Sequence, residues 1–65
     1  MEKYLVYRIT NHNGKKEYRR TKCLHLWTTE RNECWQFSQQ GAKGIVAGYD
    51  SHNRGNYYTY GYELA

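Results

Sequence analysis

The chain has no proline, one phenylalanine, one methionine and only two cysteines. Two cysteines in 65 residues do not make a disulfide scaffold. No apolar run approaches the roughly 18 residues that a membrane helix needs, so no membrane association is expected. The segment from Met1 to Ile9 lacks an apolar stretch followed by a small-residue cleavage site, and no signal peptide is expected there. Large aliphatics are scarce as well. Leu, Ile, Val and Phe together number nine of 65 residues, a share low enough to suggest disorder in a charged chain. At this length the chain is one small domain, residues 1–65, which buries only about 60% of its unfolded surface. A multi-step enzyme with a deep pocket does not fit this size, and a non-enzymatic protein without cofactor is expected.

What the sequence does have is rings and basic charge. Eight Tyr, two Trp and the Phe make 17% of the residues, whereas disordered chains are poor in aromatics. A folded domain with a ring-built core is expected. The formal net charge is +4. Lys15, Lys16, Arg19, Arg20 and Lys22, with Glu17 among them, account for all of it, because charges elsewhere cancel. A clustered basic segment is the electrostatic footprint of an anionic partner. The plainer reading is a solvated hairpin that aids solubility.

Residues 3–10 are rich in β-formers and read as a strand. Asn13-Gly14 in the following Asn11–Gly14 stretch signals a hairpin, since both residues tolerate positive φ. Residues 16–27 read as the returning strand. A two-residue turn pairs positions summing to 27, and a four-residue loop pairs positions summing to 25. Both place Leu5, Tyr7, Ile9, Tyr18, Arg20, Lys22, Leu24 and Leu26 on one face. Tyr4, Val6, Arg8, Arg19, Thr21, Cys23, His25 and Trp27 take the other. The first set has more aliphatics and is assigned to the core, although Arg20 and Lys22 then must lie at its margin.

Thr29 is suited to cap a short turn running through Glu30 to Trp35, with Glu30 near a helix N-terminus. Ser38 is a favoured N-cap. Ala42, Ile45, Val46 and Tyr49 follow it at helical spacing, and Phe37 with Ala42 has the spacing of a hydrophobic staple. Gly41, Gly44 and Gly48 either permit close approach or mark a weak helix. A strand over 45–49 is the competing reading. Residues 50–56 are polar loop by composition. Residues 57–64 alternate as a last strand, with Tyr58, Tyr60, Tyr62 and Leu64 expected to pack on the helix. The order is ββαβ: a two-layer α+β domain with an antiparallel sheet, one face covered by a helix.

Trp27-Thr28, Cys34, Phe37-Ser38, Ala42 and Val46 resemble a pattern common in small phage and prophage proteins of unknown function. In those, Trp-Thr after a hairpin leads to a small residue, then Phe with a Ser or Thr cap, then Ala on a helix. The resemblance covers residues 25–47. It implies a phage or bacterial origin and hence the cytoplasm of a bacterial host cell. It brings no catalytic or binding residues, and the glycine-rich helix here departs from the usual charged one.

Few constellations carry chemistry. A metal would need Cys23, His25 and Cys34 with His12 or His52, and only one short-spaced pair exists, so the expected metal set is none. A Cys23–Cys34 disulfide is disfavoured in a reducing cytoplasm. Catalytic residues are not expected: nucleophilic chemistry needs Cys or Ser beside His with an orienting acid, and Glu30 with Glu33 reads as helix-start electrostatics. Gly41-x-x-Gly44 resembles an RNA-clamping loop only in its two glycines.

The remaining candidate is a basic hairpin beside an open sheet face. There Tyr4 and Trp27 would stack on bases, and Arg8 and Arg19 would contact phosphates. Lys15, Lys16, Arg20 and Lys22 would extend the field. The sum-27 register sets Arg8 opposite Arg19, and the sum-25 register pairs Arg8 with Glu17 instead. The expected function is nucleic-acid binding. The rival is a phage-type accessory protein that binds and modulates an acidic host protein or nucleoprotein complex, since Tyr, Trp and Arg also dominate protein hot spots. Self-association as a homodimer along the edge of the last strand is a third reading.

Overall fold

In the computed structural model, residues 2–22, 25–52 and 57–65 are described. Strands β1 (Tyr4–Thr10), β2 (Lys15–Arg19), β3 (Trp27–Thr28) and β4 (Tyr58–Leu64) form one antiparallel sheet in the order β3-β2-β1-β4. Helix α1 (Gln39–His52) lies between β3 and β4 in the chain and packs on β1 and β4. The domain is α+β, with the ββαβ order that the sequence pattern predicts. Among the described residues no helix is long and apolar enough to cross a membrane.

The first hairpin takes the four-residue loop. Tyr7 pairs with Tyr18 and Arg8 with Glu17, the sum-25 register. The backbone N–H of Gly14 donates to the Thr10 carbonyl at 2.7 Å, and Gly14 has φ 71°. That left-handed conformation is the reason for glycine at this turn. The returning strand is shorter than the sequence suggests. Pairing with β1 ends near Arg19, and β3 then pairs with β2, Arg19 with Trp27 and Tyr18 with Thr28. Cys23 and Leu24 fall outside the described residues.

The helix forms where the capping and spacing signals place it, so residues 45–49 are helical. Ser38 Oγ accepts the Gly41 N–H at 3.1 Å. Phe37 and Ala42, the staple pair, are both buried in the core cluster with Val6 and Val46. The preceding turn is a 3₁₀ turn over Arg31–Glu33. Its N-cap is Glu30 and no side chain caps it, so Thr29 does not take the expected capping role; Thr28 Oγ1 accepts the Glu30 N–H at 3.1 Å.

The core face is the reverse of the one assigned from aliphatic count. Val6 lies fully buried under the helix, and Tyr4, Trp27, Ile45, Tyr60 and Tyr62 pack around that cluster. The helix-covered face is therefore the Tyr4, Val6, Arg8 face. Rings explain the reversal. A Tyr or Trp buries about 150–250 Å², and the helix-covered face sets Tyr4, Trp27, Tyr60 and Tyr62 against Tyr7 and Tyr18 on the other, a larger ring area than the extra aliphatics Leu5 and Ile9 make up. Tyr49 and Tyr60 stack with centroids 4.6 Å apart and planes 6° apart, joining helix to sheet.

The opposite face is not bare. Arg31 of the 3₁₀ turn reaches Glu63 at 3.2 Å and the Leu64 carbonyl at 2.9 Å. Glu63 is the cross-strand partner of Leu5, so the turn sits at that end of the face, where Leu5 is 2% exposed. Farther along, the Tyr7 ring lies across Gly61.

The glycines divide by environment. A Cβ at Gly44 or Gly48 would meet nothing within 4 Å, so these positions mark a weak helix rather than close packing. Gly44→Ala and Gly48→Ala should each stabilise the domain by about 0.5–1 kcal/mol in urea unfolding. Gly61→Ala should do the opposite, because its Cβ would overlap the Tyr7 hydroxyl and ring. A loss of about 1–3 kcal/mol is expected in the same assay.

Candidate nucleic-acid interface

The eight residues singled out from sequence separate into two groups once folded. Arg8, Arg19, Tyr4 and Trp27 belong to the helix-covered face, so the expected open aromatic platform is not present on that face. The Arg8 guanidinium lies 4.4 Å from the Trp27 ring centroid and 4.5 Å from that of Tyr58. Its Nε donates to Glu17 at 3.2 Å. Both rings and the carboxylate satisfy this cation within the fold. Tyr4 packs edge-on to Tyr62.

Arg19 is 5% exposed. Its Nη1 donates to Tyr49 Oη at 2.9 Å, its Nε to the Thr21 carbonyl at 3.1 Å and its Nη2 to the Lys22 carbonyl at 3.2 Å. A buried cation without such partners would be strongly destabilising. Here one fork of donors ties β2, the chain that follows it and α1 together. His25 Nδ1 meets the same Tyr49 oxygen at 2.6 Å. A 370 Å³ groove lies here, lined by Arg19, His25, Ile45, Gly48, Tyr49 and His52. Its guanidinium is already engaged.

Lys16 is neutralised. Its ammonium lies over the Tyr7 ring at 4.3 Å and donates to Glu63 at 2.7 Å, while Arg31 holds the other carboxylate oxygen. The hydrogen bond from Lys16, assisted by Arg31, holds the Glu63 carboxyl below the usual carboxylate range, and the bond to Glu63 raises Lys16 above the usual lysine value.

Lys15, Arg20 and Lys22 remain exposed, and Lys3 joins them. Among the described residues neither Lys3 nor Lys22 has an acidic partner within ion-pair distance. Lys15 stands at the turn end of the hairpin. Arg20 follows the other end of β2, roughly 17 Å away at strand rise, and Lys22 lies two residues farther along the chain. Lys3 and Lys22 line an open groove of about 510 Å³ with Trp35, Gln36, Phe37 and Ser38. Trp35 is 46% exposed.

Backbone bonds position each of these side chains. Tyr4 and Phe37 exchange two N–H···O bonds of 2.7 Å, and the Lys3 carbonyl accepts the Ala65 N–H at 2.8 Å. The Trp35 N–H donates to the Arg19 carbonyl at 3.0 Å. The Lys22 carbonyl is held by Arg19. Lys3 and Trp35 are not distinguished by sequence reasoning. Lys3 sits among charges that cancel in the sum, and nothing in composition separates Trp35 from the packed Trp27.

Other chemistry finds little footing. Among the described residues no three His, Cys, Asp or Glu side chains gather as a metal site requires. Cys23, one of the ligands considered, lies outside those residues. Burial raises the Cys34 thiol above its ordinary value, and its Sγ–H donates to the Arg31 carbonyl. This is the opposite of an activated thiolate. No family model, curated protein or solved structure matches the chain.

Two stability measurements check this sorting of charges. Arg19→Ala should cost about 2–4 kcal/mol in chemical unfolding, because three acceptors lose a buried donor. Arg20→Ala should stay within about 0.5 kcal/mol. Glu63 supplies a pH signature. Its lowered folded-state pKa contributes stability above the unfolded carboxylate value of about 4.3, and this is lost as pH falls through the folded value. The raised Lys16 contributes below the unfolded lysine value of about 10.4 and fades as pH rises through the folded value. Glu63→Gln should therefore be less stable than the parent at pH 7. The gap should close below the carboxylate range in thermal melts at both pH values.

Proposed function

We propose that the protein is a small non-enzymatic module that binds nucleic acid through the end of the sheet carrying Lys3, Arg20 and Lys22. One observation supports this reading above the rest. The fold satisfies Arg8, Lys16, Arg19 and Arg31 internally, yet leaves Lys3 and Lys22 exposed in one groove with an exposed tryptophan, and Arg20 exposed next in sequence to the Arg19 carbonyl that accepts the Trp35 N–H. Cations meant only for solubility need no common location, whereas phosphate contacts do. Lys15 extends the positive field along the hairpin. The rival occupant of the same surface is an acidic or nucleoprotein host partner, in the phage or bacterial setting that the Trp27–Val46 pattern suggests. Leu26, 48% exposed and bonded through its carbonyl to the Arg20 N–H, is the feature that favours it.

Salt dependence separates the two. Labelled single- and double-stranded oligonucleotides should bind with an affinity that falls steeply with salt. Three phosphate contacts correspond to a log–log slope of about −2 for single strands and −2.7 for duplex. Lys3→Gln/Arg20→Gln/Lys22→Gln should flatten that slope. Lys43→Gln, on the exposed surface of α1, should leave it unchanged. Absence of binding to either form at low salt would refute the nucleic-acid reading and direct attention to a protein partner.

A further inference from the structure

The geometry points to a more specific ligand, and this inference rests on the nucleic-acid reading above. The groove between the N-terminal arm of β1 and the start of α1 is a seat for one nucleotide of a single strand. Its base stacks on Trp35, and the adjoining phosphate is held between Lys3 and Lys22.

The groove volume, about 510 Å³, lies in the roughly 300–1,000 Å³ range of small-ligand sites. Its parts are complementary to a nucleotide. Trp35 offers a half-exposed ring face, which suits a base of any identity. Lys3 and Lys22 are cations with no acid to neutralise them among the described residues. Gln36 is exposed, so its amide is available to a base edge. Ser38 accepts the Gly41 N–H and still has its own hydroxyl proton to donate.

A duplex does not fit these features. Its base faces are stacked on one another and cannot meet Trp35, and unstacked bases are the ones aromatic side chains capture. Nor is α1 built to read a major groove. Its exposed positions include Gln39, Gln40, Gly44 and Ala47, with Lys43 and Asp50 cancelling in charge.

The backbone of the site is fixed: the Trp35 N–H is held by the Arg19 carbonyl, the Lys22 carbonyl by the Arg19 guanidinium, and Lys3 precedes the residue that pairs with Phe37. Binding then has only side chains to order.

The test compares a ten-residue oligothymidylate with a hairpin duplex of mixed sequence, by fluorescence anisotropy at two salt concentrations. The wild-type chain should prefer the single strand. Trp35→Ala should weaken single-strand binding on the order of tenfold or more, with the salt slope unchanged. Trp35→Tyr keeps a stacking ring and should recover most of the affinity. Lys3→Gln/Lys22→Gln should reduce the single-strand slope by about 0.7, because the two lysines share one phosphate. Cooperative thermal melts of each variant establish that it is folded. Single-strand affinity unaltered by Trp35→Ala, or a preference for duplex, would overturn the nucleotide seat while leaving salt-dependent nucleic-acid binding standing. No binding of either probe at low salt would overturn both.

Discussion

The Arg19 guanidinium is the constraint on which the other parts depend. It is buried at the end of β2, and its donors reach Tyr49 on α1 and two carbonyls of the chain leaving the strand. A charge in that position requires partners, and the partners lie on different segments. Satisfying it therefore sets the helix against the sheet and sets the path of residues 20–22. The Arg19 carbonyl also accepts the Trp35 N–H. One residue thus connects the aromatic packing of Tyr49 and Tyr60 to the placement of Lys22 and Trp35 in the groove.

The same logic distinguishes net charge from available charge. The run from Lys15 to Lys22 holds the whole formal excess in sequence. In the fold, Glu63 neutralises Lys16 from 47 residues away, and Arg19 turns inward. Glu17 meets Arg8 across the hairpin. Of the cations left unpaired among the described residues, Lys15 stays at the turn and Lys43 on α1, while Lys22 meets Lys3 from the N-terminal arm at the other end of the sheet. An interface for phosphates depends on which cations keep contact with water, and pairing across strands decides that.

Much of the architecture was legible because it rests on local chemistry. Ser38 caps α1, Phe37 and Ala42 form the staple, and Gly14 closes the hairpin. Each involves groups only a few residues apart. The alternation of Tyr58, Tyr60 and Tyr62 likewise follows from the strand period of two. The burial of the Tyr4 and Val6 face was not legible. Alternation defines two sets of residues but does not say which one a helix will cover, and counting aliphatics ignored the larger area of the rings. The length of the second strand escaped for a related reason. Residues 20–22 have strand-compatible side chains, but Arg19 holds the Thr21 and Lys22 carbonyls, and Tyr4 pairs with Phe37 instead of with that segment. Of the candidate site, Arg20 and Lys22 were visible as exposed charge, whereas Lys3 and Trp35 became distinct only through their neighbours.

The sequence by itself determined the hairpin, the helix, the last strand, their order and the class of the domain. Caps, turns and hydrophobic periods act over one to four residues and are written in adjacent letters. Tertiary structure alone decided which face became core, which arginines became internal ties and which lysines stayed free beside an exposed tryptophan. Those outcomes follow from burial area and charge pairing between residues tens of positions apart, and both arise only when the chain has closed on itself.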